Sequence, residues 1–100
     1  MSAYMIALCE ITNPNEGLKR YSQRSGELTA EYGGTYKIRG MAGEHIEGDF
    51  LKGRLVIMSE FPSMERLMEF YNSAEYQAAK KDREGTGNYE IAFFEGLPSD

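Results

Sequence analysis

Ala-Tyr-Met-Ile-Ala-Leu-Cys-Glu-Ile-Thr, at residues 3–12, decides the fold of this chain. The run is apolar and has the length of one strand, and Asn13-Pro14 ends it. Side chains of a strand alternate between the two faces of a sheet. The two sets here are Tyr4, Ile6 and Leu8 on one face, and Met5, Ala7, Cys9 and Ile11 on the other. Apolar residues in both sets predict a strand that needs cover on both faces, because a strand with one wet face alternates apolar with polar residues.

Two later segments repeat this two-sided pattern. In residues 54–61 the sets are Leu55, Ile57 and Phe61 against Val56 and Met58, and in residues 89–95 they are Ile91 and Phe93 against Ala92 and Phe94. Residues 35–41 differ, since Tyr36 and Ile38 alternate with Lys37 and Arg39, which is typical of a half-buried strand. The glycine-rich residues 42–53 predict a long connection with a short extended piece at residues 45–47.

Two helical regions separate the strands. The first is predicted over residues 14–32, with Asn13 as its cap, Pro14 at the first position and Glu16 completing a capping box. Its apolar face comprises Leu18, Tyr21, Ser25, Leu28 and Tyr32. The second region follows Pro62, and caps at Ser63 and Ser73 divide it into helices over residues 64–72 and 74–84.

The element order is therefore β-α-β-β-α-β, the ferredoxin-like arrangement of the α+β class. Its two helices cover one face of a four-stranded antiparallel sheet and leave the other face bare. A bare apolar face of that size is unusual on a monomer, so the sequence predicts a homodimer through the sheet faces. We expect one dimeric α+β barrel domain spanning residues 1–100.

Composition narrows the functional classes. A net charge of −5 and a pI near 4.9 argue against nucleic-acid partners, because a phosphate-binding surface needs clustered Lys and Arg. The lone Cys9 excludes an internal disulfide and fits a reducing compartment. We find neither a signal-peptide pattern nor the run of about 20 apolar residues that a membrane span requires. A cytoplasmic location without a membrane partner is the prediction.

Several short motifs carry a family resemblance over essentially the whole chain. They are Tyr32-Gly33-Gly34, Arg39-Gly40, Glu47-Gly48-Asp49, Arg54, Phe61-Pro62-Ser63 and Phe70-Tyr71-Asn72-Ser73-Ala74-Glu75-Tyr76-Gln77. In this order they resemble the domain-of-unknown-function family 1330 of the dimeric α+β barrel superfamily. The resemblance implies two sheets facing each other and a cleft between each sheet and its helices. It implies no reaction, although the wider superfamily includes cofactor-independent monooxygenases, haem-handling enzymes and small-ring isomerases.

Six residues are candidates for binding a ligand in that cleft: Tyr21, Arg39, His45, Arg54, Tyr71 and Tyr76. Guanidinium groups hold carboxylates and phosphates, and tyrosines supply aromatic walls and hydroxyl donors. Small residues at Ser25 and Gly26 would leave space between helix and sheet, although close packing explains them equally well. The two arginines have an alternative interpretation as ion pairs with Glu47, Asp49 or Glu60.

His45 and Glu60 are the candidate catalytic residues. His45 is the only histidine and the only side chain with an unperturbed pKa near neutrality, although a solvated loop is its simpler interpretation. Glu60 lies at the end of an apolar strand, where burial could raise the pKa of a carboxyl, although solvation or pairing with arginine explains it as well. We find no metal-ligand spacing, nucleophile motif or phosphate loop, and expect neither a metal nor a cofactor.

The sequence thus predicts a small cytoplasmic homodimer that binds a small organic ligand in a sheet–helix cleft, with anionic and aromatic compounds as candidates. Cofactor-independent chemistry such as isomerisation or monooxygenation is conceivable there. The alternative is a non-catalytic module for dimerisation or protein interaction.

Overall fold

A computed structural model describes residues 1–98 of the chain. The elements in chain order are β1 (Ala3–Ile11), α1 (Glu16–Glu31), β2 (Thr35–Gly40), β3 (Leu55–Phe61), α2 (Met64–Asn72), α3 (Ala74–Lys80) and β4 (Gly87–Glu95). The four strands form one antiparallel sheet in the order β2-β3-β1-β4, so the predicted ferredoxin-like α+β fold is confirmed. No helix within residues 1–98 is long and apolar enough to cross a membrane.

The register of the strands gives the two faces their composition. Met5 lies opposite Ser59 on β3 and Phe93 on β4, and this face is covered by the helices. Ile6 lies opposite Met58 and Ala92 on the other face, which none of the helices within residues 1–98 covers. We call this second side the open face. Its apolar residues are Tyr4, Ile6, Leu8, Ile38, Val56, Met58, Ala92 and Phe94.

Helix α1 begins two residues later than the sequence predicts. Asn15, not Asn13, is the cap, and its side-chain oxygen accepts a hydrogen bond from the Leu18 N–H at 3.0 Å. Asn13 instead hydrogen-bonds through its backbone N–H to the Thr86 carbonyl at 2.9 Å, so its backbone belongs to the contact with the β4 end. The predicted capping box with Pro14 at the first helical position is therefore wrong.

The end of α1 is where the glycine pair predicts it. Gly33 has φ +81°, a left-handed conformation that suits glycine, and the Gly34 N–H bonds back to the Thr29 carbonyl at 2.8 Å. A side chain at Gly34 would collide with the ring of Phe61 at 2.7 Å. The pair thus lets the chain turn tightly from α1 into β2.

Strand β2 contains an irregularity that the alternating pattern does not predict. Tyr36 pairs with Ser59 and Ile38 with Met58, so Lys37 is an extra residue in the ladder. Because of this bulge, Tyr36 and Arg39 face the helices while Ile38 faces the open side. The predicted grouping of Tyr36 with Ile38 against Lys37 with Arg39 is wrong for this reason.

Ser73 separates α2 from α3, as predicted. Its hydroxyl donates to the Phe70 carbonyl at 2.8 Å and accepts from the Tyr76 N–H at 3.1 Å, which ends one helix and starts the next. Helix α3 is shorter than the predicted helix over residues 74–84, because the chain tightens into a 3-10 turn at Lys81–Arg83. The connection at residues 42–53 contains turns but no extended piece at residues 45–47.

The core lies between the helices and the covered face of the sheet. Its fully buried members come from β1, β3 and all three helices: Ala3, Met5, Leu28, Phe61, Leu67, Phe70 and Tyr76. Aromatic rings dominate it, with the Phe70 ring centroid 5.0 Å from that of Phe61 and 4.9 Å from that of Tyr76. This aromatic cluster fills one end of the sheet–helix space.

Candidate functional site

A cavity of about 60 Å³ occupies the remaining sheet–helix space. Its apolar lining comes from the sheet and α2: Met5, Ala7, Cys9, Ile57, Phe70 and Ile91. Its polar lining comes from α1, the region of α3, and β2 and β4: Tyr21, Ser22, Ser25, Thr29, Tyr36, Arg39, Tyr76, Arg83 and Tyr89. One water molecule needs about 10–15 Å³ of such space, so the cavity has room for several waters or for a small ligand.

A pair of tyrosines joins the two helices above the cavity. The hydroxyl oxygens of Tyr21 on α1 and Tyr76 on α3 are 2.6 Å apart, and their rings meet edge to face. Burial raises the pKa of the Tyr21 phenol well above its usual value, and burial raises that of Tyr76 as well. Both phenols therefore stay protonated near neutral pH and act as hydrogen-bond donors or acceptors.

Arg83 reaches the cavity from the 3-10 turn after α3. Its guanidinium carbon lies 4.4 Å from the ring centroid of Tyr89 and 5.2 Å from that of Tyr21. The backbone carbonyl of Arg83 accepts hydrogen bonds from both the N–H and the hydroxyl of Thr86, which is fully buried. Two aromatic rings and a fixed turn thus hold this cation at the cavity.

Arg39 supplies a second cation from the opposite edge of the site. It is directed towards the helices by the bulge at Lys37, and its guanidinium carbon lies 4.8 Å from the ring centroid of Tyr36. The Tyr36 hydroxyl in turn reaches α1, where a side chain added at Gly26 would be 3.8 Å from it. Arg39 is exposed, so the cavity is charged where it meets solvent.

The chemistry of the lining is cationic and phenolic. Within residues 1–98, neither an aspartate, a glutamate nor a histidine lines the cavity. Burial raises the pKa of the Cys9 thiol, which makes this cysteine a poor nucleophile. The arrangement can therefore hold an anion and donate hydrogen bonds to it, but it offers no side chain suited to accept a proton near neutral pH.

Three of the six predicted ligand-binding residues lie together at this cavity, namely Tyr21, Arg39 and Tyr76. Ser25 lines it as well and is buried, which favours the interpretation that small helix residues leave space. Gly26 does not line it. A role in ligand binding stays a prediction for each of these residues.

The structure separates the other three predicted residues from the cavity. Arg54 lies 4.0 Å from Glu10 and stacks on the ring of Phe50 at 4.3 Å, at one end of the central strands β1 and β3. Tyr71 packs edge to face against Phe93 with ring centroids 5.5 Å apart, outside the cavity lining. His45 lies in the exposed connection between β2 and β3.

Glu60 lies on the open face and not in the cleft. Hydrogen bonds with Ser2 and Tyr4, together with Lys37 at 3.3 Å, hold the pKa of its carboxyl below its usual value. The raised pKa that a general base would need is therefore not found. The cation that pairs with Glu60 is Lys37 and not the arginine of the alternative interpretation. Within residues 1–98, no three His, Cys, Asp or Glu side chains are grouped so as to hold a metal ion.

Among the tyrosines and arginines of the lining, sequence reasoning missed three: Tyr36, Arg83 and Tyr89. Tyr36 and Tyr89 stand in strands that were recognised, but their faces depend on a bulge and on the register with β1. Arg83 follows two lysines in a charged run that is typical of a solvated helix end. The signal that could have found it is the neighbouring Gly85, which has φ +77° and turns the chain back towards the sheet.

A family model matches residues 2–97, described as "Domain of unknown function (DUF1330)". The chain belongs to the DUF1330 family. The predicted resemblance is thereby confirmed, and it covers nearly all of the residues. No significant match was found among proteins with curated functions.

Solved structures place this DUF1330 chain among ferredoxin-like proteins. A protein of unknown function from Rhodopseudomonas palustris superposes with a TM-score of 0.75 at 18% identity, over 98% of this chain and 84% of that one. SnoaB, a cofactor-independent oxygenase from Streptomyces nogalater, gives 0.68 at 7% identity, over 98% and 95%. A dimeric ferredoxin-like protein of unknown function from Thermobifida fusca gives 0.63 at 12% identity, over 94% and 90%. At these identities the likeness shows the fold alone.

Proposed function

We propose that this protein is a homodimer that binds a small organic molecule in the cavity between its sheet and its helices. The observation that carries the proposal is the polar lining of a space inside the fold. A cavity that only reflected imperfect packing would be lined by apolar groups and would stay dry. This one combines an apolar floor with convergent phenol and guanidinium groups, which is the usual composition of a small-molecule site.

The open face supports the proposed homodimer. The chain is a slab of 39 × 36 × 16 Å with helices on one side of the sheet, so a third layer is missing on the other side. Ile38 and Phe94 are 48% and 49% exposed there, and they flank the partly buried residues at the centre of the face. A second copy is the occupant we favour, because a protein with this fold from Thermobifida fusca is dimeric. The whole chain would then act as one domain of that dimer, and a cytoplasmic location stays a prediction.

Chemistry without a cofactor is the reaction class that we associate with the cavity. SnoaB, which shares the fold, is a cofactor-independent oxygenase, and the cations at Arg39 and Arg83 could stabilise an anion formed from a bound substrate. Since the lining holds no evident base, the substrate would have to be acidic itself. Binding is therefore the primary proposal, and catalysis depends on it.

The alternative is a module that dimerises or meets a protein partner and binds no small molecule. The observation in its favour is that Tyr21 and Tyr76 satisfy each other's hydroxyl groups and need no ligand.

A thermal-shift screen of small aromatic and carboxylate compounds distinguishes the small-molecule site from the non-catalytic module. A ligand at about 100 times its Kd adds about 2.7 kcal/mol to the free energy of unfolding and raises Tm by several degrees. The screen is repeated on Ser25→Leu, which fills the cavity, and on Gln23→Leu, an exposed change on the same helix. Hits that stabilise Gln23→Leu but not Ser25→Leu support the proposal. Hits that stabilise both variants equally, or no hits at all, favour the alternative.

A further inference from the structure

We infer that the cavity recognises a carboxylate on a small, otherwise apolar ligand, and that Arg39 and Arg83 hold this carboxylate. The inference rests on the proposed small-molecule function and names the ligand class for it. It starts from the distribution of ion pairs over the molecule. The chain has more acidic than basic residues, with 16 Asp and Glu against 11 Lys and Arg. An arginine therefore finds a carboxylate easily on this surface.

The six arginines divide into two groups. Four form ion pairs with carboxylates at N···O distances of 3.1–4.0 Å: Arg20, Arg24, Arg54 and Arg66. Within residues 1–98, Arg39 and Arg83 form none, and these two are the arginines that line the cavity. In an acidic protein, both guanidinium groups that lack a carboxylate partner face a cavity whose lining contains no carboxylate.

Arg83 is the more confined of the two cations. It is partly buried, and its Nε has no hydrogen-bond partner among the residues that the structure describes. A buried donor without a partner is destabilising, and a charged one more so, unless something else satisfies it. The rings of Tyr21 and Tyr89 contact the guanidinium group and the Tyr76 phenol hydrogen-bonds with it, but Nε is left without an acceptor. An anion in the cavity would supply the missing acceptor.

The bulge in β2 brings Arg39 to the same cavity. If Lys37 paired regularly in the ladder instead of bulging, alternation would put Tyr36 and Arg39 on opposite faces of the sheet. Bulges often re-aim a side chain at a functional site, and this one does so for a cation. Two cations thus reach the cavity from separate elements, one from β2 and one from the turn after α3.

The apolar part of the lining limits the size and polarity of the ligand beyond its carboxylate. The floor is formed by Met5, Ala7, Ile57 and Ile91, and the space is only about 60 Å³. A short hydrocarbon chain or a single ring fits such a floor better than a sugar or a nucleotide does. A carboxylate suits two planar guanidinium groups, and its hydrogen-bond needs are met by the two cations and the neighbouring phenols.

The test compares pairs of compounds that differ only in charge. Benzoate is titrated against benzamide, and butyrate against butyramide, with inorganic phosphate as a further anion, and amide and methyl NMR shifts of the cavity residues are followed. We expect each carboxylate to bind at least about tenfold more tightly than its amide, since hydrogen bonds to a charged group exceed neutral ones by about this factor.

Three arginine variants assign the effect to the cavity. Arg39→Met and Arg83→Met should each weaken carboxylate binding about tenfold and leave the amides within about twofold. Arg66→Met is the matched control, because Arg66 also lies over a tyrosine ring, Tyr32 at 4.6 Å, but does not line the cavity. If Arg83→Met fails to fold, Arg39→Met decides, since its side chain is exposed.

The outcomes keep this inference apart from the proposed function. Amides that bind as tightly as the acids overturn the inference and leave small-molecule binding intact. Carboxylate binding that is equally reduced in Arg66→Met, or phosphate binding tighter than either acid, also overturns it. If no compound shifts a cavity resonance in the wild-type protein, the inference and the proposed function both fail.

Discussion

Each of the two faces of the sheet has a side-chain composition that its surroundings would not predict. The covered face lies beneath the helices, yet it contributes polar side chains to an internal space, among them Tyr36, Arg39 and Tyr89. The open face has no cover from residues 1–98, yet its centre is apolar, with Ile6 opposite Met58 and Ala92. A monomer optimised only for stability would have the reverse composition on each face.

The difference separates two tasks that the sheet performs. Polar groups inside the fold reduce the apolar area available to the core, which is reasonable if they serve a ligand. Apolar groups outside it lower solubility unless another surface covers them. We therefore interpret the covered face as the side for binding and the open face as the side for assembly, and the following substitutions test that division.

The largest expected effect comes from removing one phenylalanine on each face. Phe61→Ala, on the covered face and 1% exposed, should lower the free energy of unfolding by about 3–5 kcal/mol in urea titrations. Phe94→Ala, 49% exposed on the open face, should instead raise the monomer–dimer Kd about tenfold in sedimentation experiments. An open-face variant that left the dimer unchanged would contradict the division of tasks.

A charge placed on the open face should dissociate the dimer. Met58→Lys puts a lysine on each side of the proposed interface, and desolvation costs several kcal/mol per ion, so Kd should rise at least about 100-fold. Met68→Lys makes the same change at an exposed position on α2 and should leave Kd unaltered. Light scattering over a concentration series measures both. If Met58→Lys remains as dimeric as Met68→Lys, the proposed interface is wrong.

Loss of one phenol hydroxyl should have a moderate effect. Tyr21→Phe leaves the fully buried Tyr76 hydroxyl without its partner at 2.6 Å, and should lower the free energy of unfolding by about 1–3 kcal/mol. Tyr71→Phe is the control, because its hydroxyl only accepts a long hydrogen bond from Lys80 at 3.4 Å, and should stay within about 0.5 kcal/mol. Equal losses of unfolding free energy in the two variants would mean that the hydrogen bond between Tyr21 and Tyr76 contributes no more to stability than that of Tyr71.

The smallest effect concerns acid stability at Glu60 on the open face. Hydrogen bonds with Ser2 and Tyr4 lower the pKa of its carboxyl in the folded chain, so the ionised form stabilises the fold above the ordinary pKa of 4.5. That contribution is lost as the pH falls below 4.5 and through the lowered pKa. The Tm of Glu60→Gln should therefore fall less steeply than that of the wild type in this range. Parallel curves would show that the network adds nothing.

The fold was predictable because its signals are local and repeated. Apolar runs of strand length, the glycine pair after α1 and the serine caps at Ser63 and Ser73 agree on one topology. The start of α1 was missed because Asn13 and Asn15 are both good caps and only tertiary hydrogen bonds decide between them. Boundaries of this kind depend on partners that lie far away in the sequence.

The candidate site was predictable only in part. Tyr21 was predicted because it stands on the apolar face of the first helix, and Tyr76 because it flanks the break in the second helical region. Arg54 and His45 were chosen for their chemistry alone, and the topology puts them elsewhere. Arg83 was missed because its position depends on a 3-10 turn and a left-handed glycine, which no periodic pattern encodes.

The extra residue at Lys37 has a consequence for how proteins of this kind could diverge. Regular pairing of Lys37 in the ladder would shift every later residue of β2 by one position, and would exchange Arg39 and Ile38 between the two sides of the sheet. A substitution that abolished the bulge would remove a cation from the interior and place it on the contact surface. Ligand choice and subunit pairing would then change together, in a single step.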